Sequence, residues 1–380
     1  MIILSCFWAA FPLVASAEPA PFDVTAKEAV VIEATTGRVL FAKNAERRAY
    51  PASTTKILTL IVALERGNLE ATARVSENAA ATEGSSIGLV PGEKMRLLDL
   101  LYGMMLMSGN DAAVTIAENI AGSVPAFAAM MNEKAREIGA KDTHFTNPDG
   151  LPDENHYTTA RDLAVIAAYG YRLPLFAKIV ATEHQTIPGY GAQGPRELYN
   201  ENRLLWLYDG ANGVKTGYTD IAGRCLVSGA KRKNVQLVAV VLDSEHMWDD
   251  SVALLDFGFA RIRPVTLLKG QEAVKTLKVA KGRAAAVRLA PVEDVVIPMV
   301  PGDESRFQTR IDAPDSIQAP VAEGQRIGAL RVLFDGRVVK SIDLVALSGS
   351  ERMSFLETVT MSLRTFFAGF LRGISDWIPA

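Results

Sequence analysis

The sequence predicts an α+β fold: an antiparallel sheet with a helical lobe inserted between its strands, then a small all-β domain and a C-terminal amphipathic helix. Three observations predict it. β-rich runs stand at both ends of residues 24–262, with helix-period sequence between them. From Arg263 the composition changes to short β-like runs with frequent Gly and Pro. From about Glu351 apolar residues recur at steps of three or four.

The elements follow in order. Residues 1–17 read as an export signal: the apolar run Ile2 to Val14 ends in Ala15-Ser16-Ala17, a small-x-small cleavage signature, although no positive residues precede it. Cleavage there removes Cys6 and leaves Cys225 as the only thiol. The runs Ala29–Glu33 and Val39–Phe41, joined through Thr36-Gly37, predict a hairpin. A helix is expected from Ser53, with Ile57, Leu58, Leu60, Ile61 and Leu64 on its apolar side. Three more are expected from Leu97, from Asp111 to Ile120 and from Pro125 to Ile138, where Pro125 suits a first helical turn. The run Met104-Met105-Leu106-Met107 reads as plain core. Strands return near Val214, at Arg224–Ala230 and at Val235–Leu242, the last two joined by a solvated turn, Lys231-Arg232-Lys233-Asn234. A helix from Asp249 to about Phe259 closes this domain.

The β-rich domain is expected over 263–348. Its clearest hairpin is Val332-Leu333-Phe334, Asp335-Gly336, Arg337-Val338-Val339, because Asp-Gly fits a type I′ turn. A spacer or docking role suits it, since no polar pair in it suggests chemistry. In the tail, 350–380, Phe355, Val359, Leu363, Phe366, Phe370, Ile374 and Trp377 share one face, with Arg352, Arg364 and Arg372 opposite. Polar residues interrupt it too often for a membrane span. It suits the plane of a membrane interface.

Composition bounds the function. Of 380 residues, 49% are hydrophobic and the net charge is −3, which describes a globular protein and argues against nucleic acid as a partner. Two cysteines make no disulfide framework, and with the four histidines they show no zinc-type spacing, so no metal or other cofactor is expected.

Three short motifs carry chemistry: Ser53-Thr54-Thr55-Lys56, Ser108-Gly109-Asn110 and Lys215-Thr216-Gly217. Each alone is a weak signal, although Lys-Thr-Gly is the rarest of the three; their order and surroundings make the set specific. On a helix, Ser53 and Lys56 are neighbours on one face. A serine hydroxyl needs a base, and a lysine serves once burial or a second cation, here Lys215, strips its proton. Ser108 is placed to relay a proton to a leaving amine, and Asn110 to hold Lys56 or a substrate amide. Asp111 is expected to cap the following helix. The third motif reads as a strand edge along which an extended peptide can lie, with Gly217 leaving room. Lys215 and Thr216 suit a terminal carboxylate. The backbone N–H groups of Ser53 and Tyr218 are candidates for an oxyanion hole. Cys225 reads as a buried small hydrophobe rather than a nucleophile.

With these residues in hand, the chain resembles the low-molecular-mass penicillin-binding proteins of the serine-type D-Ala-D-Ala carboxypeptidase family, peptidase S11. The resemblance runs from about residue 24 to the end. It includes Pro51-Ala52 before the first motif, Gly84-Ser85-Ser86, Leu106 to Ala113, Thr143 to Leu151 and Gly213 to Thr219. Gly109 favours this family over class A β-lactamases, which are expected to carry Asp there. The resemblance implies a transpeptidase/β-lactamase-like catalytic domain, a β-rich second domain and a C-terminal amphipathic anchor, on an exported protein held peripherally at the extracytoplasmic face of the cell membrane. It implies Ser53 as acyl-enzyme nucleophile, Lys56 as base, Ser108 and Asn110 in the proton network, and Lys215, Thr216 and Gly217 on the C-terminal D-Ala. The implied substrates are peptidoglycan stem peptides, with β-lactams acylating the same serine. The chain departs from the pattern at one place. Some relatives hold the terminal carboxylate with an Arg after the strand that follows the Lys-Thr-Gly strand; here the stretch is Glu245-His246-Met247-Trp248-Asp249-Asp250. Arg224 substitutes only if it points into the cleft. Three alternatives stand beside this reading: an endopeptidase on cross-links, a β-lactamase, for which no clear Glu-x-x-x-Asn deacylation motif is seen, and a non-catalytic wall-binding protein.

Overall fold

The computed structural model describes residues 23–191, 194–357 and 359–360. The expected export segment, with Cys6, and nearly all of the expected C-terminal helix lie outside the described residues.

Strands β1 (Glu28–Glu33) and β2 (Val39–Lys43) form a hairpin. Helices α1 (Lys56–Arg66), α2 (Leu97–Leu106), α3 (Asn110–Ala121), α4 (Val124–Ile138) and α5 (Ala160–Gly170) follow. Strands β3 (Ala211–Thr219), β4 (Gly223–Arg232) and β5 (Val235–Leu242) then return, and α6 (Met247–Arg261) closes the unit. The sheet order is β2-β1-β5-β4-β3, antiparallel throughout, which leaves β3 at an edge.

Both faces of this sheet are covered, so strand alternation divides the apolar residues between two cores. Val30, Ile32, Val238 and Val240 face the helical lobe. Ala29, Val31, Leu237 and Ala239 face α6. The strands are therefore almost continuously hydrophobic rather than apolar and polar by turns.

Helix α1 runs through the lobe and is buried on every side from Lys56 to Ala63, more than a one-sided apolar helix requires. Ile57, Leu58, Leu60 and Ile61 are wholly inside. Their burial, at about 1.5–3 kcal/mol each, opposes the desolvation cost of the Lys56 amine carried on the same helix. Met104 and Met105 are core. Two expectations are corrected. The segment at Ser53 begins as a 3-10 turn, Ala52–Thr55, and becomes α-helix only at Lys56. Asp111 does not cap α3: it lies inside the helix, which follows Gly109, and its carboxylate accepts from the N–H groups of Ile87 and Leu89 and from the Ser86 hydroxyl. It ties down the 86–89 loop instead. Two short antiparallel strand pairs, Thr72–Arg74 with Lys94–Arg96 and His184–Ile187 with Arg196–Tyr199, are additions to the expected elements.

The chain turns from Arg261 directly into strand Arg263–Leu268, and the remainder is strand-rich. A six-stranded sheet and a two-stranded ribbon enclose a core of Leu277, Leu289, Ile297, Val332 and Leu344. The Asp335-Gly336 turn has φ of 49° and 77°, as a type I′ hairpin requires. Bridges from Ser350 to Val321 and from Arg352 to Gly282 keep the chain on this sheet a few residues past 348. Phe355 and Leu356, where the expected tail helix begins, are exposed. Among the described residues no single helix is long and apolar enough to cross a membrane.

Candidate active site

The site forms where the 3-10 turn, the loop before α3 and edge strand β3 meet. Ala52 takes a left-handed φ of 48°, an uncommon conformation for a residue with a Cβ, and delivers Ser53 into the cleft. One turn on, the fully buried Lys56 Nζ stands 3.0 Å from Ser53 Oγ, 2.6 Å from Asn110 Oδ1 and 2.6 Å from the Asp149 carbonyl. Two of these neighbours can only accept a hydrogen bond; the hydroxyl can also donate. A neutral amine, with two N–H bonds and one lone pair, satisfies all three at once, and its lone pair then faces Ser53. Burial pushes this amine down to about 7, helped by the Lys215 ammonium and opposed by the Asp149 carboxylate.

The turn Asn147-Pro148-Asp149-Gly150 is the floor beneath Lys56. Asn147 Oδ1 accepts from the Gly150 N–H at 2.7 Å, and Pro148 O accepts from Thr59 Oγ1 at 2.6 Å. Gly150 has a φ of 95°, and a Cβ there would lie 1.9 Å from the Ala52 carbonyl oxygen, so no other residue fits. His156 supports the same corner. It is buried, its ring is held down at about 4 by that burial, and its Nε2 lies 2.9 Å from Thr55 Oγ1.

Ser108, at φ 60°, is buried in the cleft wall. The Asn110 amide is oriented by two bonds: its oxygen accepts from Lys56, and its nitrogen donates to Glu83 O at 2.6 Å. Of the two roles open to Asn110, holding Lys56 is the one its geometry meets. Gly84 lies close against it, since a Cβ there would come within 2.7 Å of Asn110 Nδ2.

On β3, Gly217 packs against the N–H groups of Ser53 and Thr54; a Cβ would lie 3.0 and 3.1 Å from those nitrogens. Lys215 is buried and Tyr218 exposed, its hydroxyl donating to Asp220. Burial pushes the Lys215 amine down to about 8, against the pull of Glu201. Ser53, Ser108, Thr216, Gly217 and Tyr218 line one cleft of about 460 Å³, and Lys56, Asn110 and Lys215 stand behind its wall.

Glu201, Ser85, Met247, Trp248 and Arg224 complete the lining. Arg224, the candidate substitute cation, is thus one of the residues that line the cleft. Sequence reasoning missed Glu201 and the floor role of Asp149. The second lies inside Thr143–Leu151, a stretch that the family resemblance had marked; the first carried no signal. Cys225 lies buried nearby, its thiol pushed up to about 12 by burial, and behaves as a small hydrophobe.

The family model for D-alanyl-D-alanine carboxypeptidase matches residues 14–246, and that for the penicillin-binding protein 5 C-terminal domain matches 263–352. D-alanyl-D-alanine carboxypeptidase DacF of Bacillus subtilis is 36% identical, with 87% of each chain covered. DacA of Haemophilus influenzae, a D-alanyl-D-alanine carboxypeptidase, is 33% identical, with 85% of each covered. Among solved structures, penicillin binding protein 5 from Haemophilus influenzae is 32% identical with a TM-score of 0.63, covering 88% of this chain and 100% of that one.

Proposed function

The chain belongs to the D-alanyl-D-alanine carboxypeptidase family and has that activity, and from this premise we propose the role of each residue at the site. Ser53 Oγ attacks the carbonyl carbon of the penultimate D-Ala. Its proton passes to the neutral Lys56 amine, and the C–O bond forms as the carbonyl π pair moves onto oxygen. The N–H groups of Ser53 and Tyr218 receive that oxyanion. Collapse of the intermediate breaks the C–N bond. The proton held by Lys56 reaches the leaving D-Ala nitrogen by way of Ser108. Water, activated by the same lysine, then cleaves the acyl-Ser53 ester. Asn110 holds Lys56 in place. Lys215 and Thr216 bind the C-terminal carboxylate, with Arg224 as a further cation, and Gly217 lets the peptide lie against β3.

The observation that carries this reading is a buried amine 3.0 Å from Ser53 Oγ whose burial lowers its proton affinity into the neutral range. The test is release of free D-Ala from a stem pentapeptide by wild type and by Ser53→Ala. Release by wild type alone supports the assignment. Release by both sinks it. Release by neither, with Ser53 still labelled by penicillin, moves the substrate to cross-linked peptides.

β-Lactams acylate the same serine, and the peptidoglycan substrate places the activity outside the cytoplasm. We further infer an export signal in residues 1–17, a catalytic domain over 24–262, a β-rich spacer over 263–348 and a surface-lying membrane tether in 350–380, the last from the apolar face Phe355 to Trp377. Truncation after Ser350 tests the tether: the protein should leave the membrane fraction and keep its activity on soluble peptides.

A further inference from the structure

A carboxylate already occupies the clamp. Glu201 Oε2 accepts from Thr216 Oγ1 at 3.1 Å and stands 3.7 Å from Lys215 Nζ. These are the two groups assigned above to the substrate's own carboxylate. The backbone around Glu201 is fixed. Asn200 and Asn202 on either side are buried. Asn200 donates to the Thr182 carbonyl and accepts from the Asn202 N–H, Asn202 accepts from the Leu204 N–H, and the Glu201 N–H donates to the Leu106 carbonyl. The side chain is less confined, being 44% exposed to the cleft.

Lys215, by contrast, is buried and poorly served. Among the described residues its contacts are 3.4 Å to Thr216 Oγ1 and 3.7 Å to Glu201, both longer than a good charge-assisted hydrogen bond. A substrate carboxylate can give that ammonium a shorter bond. Doing so brings a second negative charge beside Glu201, and two carboxylates at one cation oppose each other. A substrate whose terminal group is a neutral carboxamide meets no such opposition. Its N–H can donate to Glu201, while its carbonyl accepts from Thr216.

We propose that Glu201 is a specificity-determining residue that competes with the substrate's C-terminal carboxylate for Thr216 and Lys215 and so shifts the enzyme toward D-Ala-D-Ala peptides whose terminal carboxyl is neutralised. The proposal rests on the assignment of Lys215 and Thr216 as the carboxylate clamp. It names a substrate class for the same site: carboxamide-ended peptides beside free acids.

The test compares two probes, a tripeptide ending in D-Ala-D-Ala as the free acid and the same peptide as its C-terminal carboxamide. Each is assayed with wild type, Glu201→Gln and Thr216→Val at low salt. Gln keeps the hydrogen bond to Thr216 and removes the charge. In Glu201→Gln the ratio of kcat/KM for acid over amide should rise roughly 2- to 5-fold, the range of a partly screened charge, and through KM for the acid. High salt should shrink the change. An unchanged or lowered ratio in Glu201→Gln overturns the proposal. Thr216→Val separates that failure from failure of the clamp. If it raises KM for the acid while Glu201→Gln leaves the ratio alone, the clamp stands and the competition does not exist. If neither variant moves KM for the acid, the clamp assignment falls and the proposal with it.

Discussion

The proton is the perturbation that probes this site most directly. In the mechanism proposed above acylation requires Lys56 neutral, and burial pushes its amine down to about 7. Below that value the neutral fraction falls tenfold per pH unit. Acylation at about pH 5 should therefore run roughly 50-fold slower than at about pH 7. Lys215, at about 8, works in the opposite sense, because it must stay charged to hold a carboxylate. Above about pH 9 it is mostly neutral, and KM for a free-acid substrate should rise about tenfold. The two ammonium groups repel, so the limbs of the resulting bell belong to the pair. The same lowering has a sign in stability. The unfolded chain holds the Lys56 proton up to the ordinary lysine value, whereas the folded chain gives it up near 7. The cost of burying the charge is thus complete below about 7 and fades as pH rises above it. The assay is the rate of Ser53 labelling by a fluorescent penicillin, followed from about pH 5 to about pH 9. A rate that does not change between about pH 5 and about pH 7 would refute the neutral-lysine mechanism.

Gly150→Ala should cut acylation by about a hundredfold, since a Cβ 1.9 Å from Ala52 O must push the turn and its Asp149 carbonyl away from Lys56; penicillin labelling and Tm together would show the loss. Arg224→Ala should raise KM for a free-acid peptide roughly 2- to 5-fold with kcat little changed, the range of an exposed cation. Cys225 should resist alkylation in the native protein and react readily in denaturant, as mass spectrometry after iodoacetamide would report.

What could be read from the sequence follows from range. The strands were legible because β1 and β5 lie inside a sheet covered on both sides, and such strands declare themselves by almost continuous apolar runs. The inserted helices were legible by their period, and Ser53, Lys56, Ser108, Asn110 and Lys215 by motifs short enough to be contiguous. What escaped was whatever depends on contacts far along the chain. Lys56 meets the Asp149 carbonyl across 93 residues, and a main-chain oxygen carries no side-chain signature. Asp111 sits where a capping residue could stand, yet the 86–89 loop offers it three donors, and long-range satisfaction prevailed over the local cap. Glu201 is the sharpest case. In the sequence it is one acidic residue among 43, between two asparagines. Only folding sets it against Thr216, and only there does its charge bear on which peptide ends the enzyme accepts. The proposed nucleophile and its base form a local pair that is read as one motif, whereas the selectivity proposed for Glu201 rests on the wall opposite, which the chain assembles from separate elements.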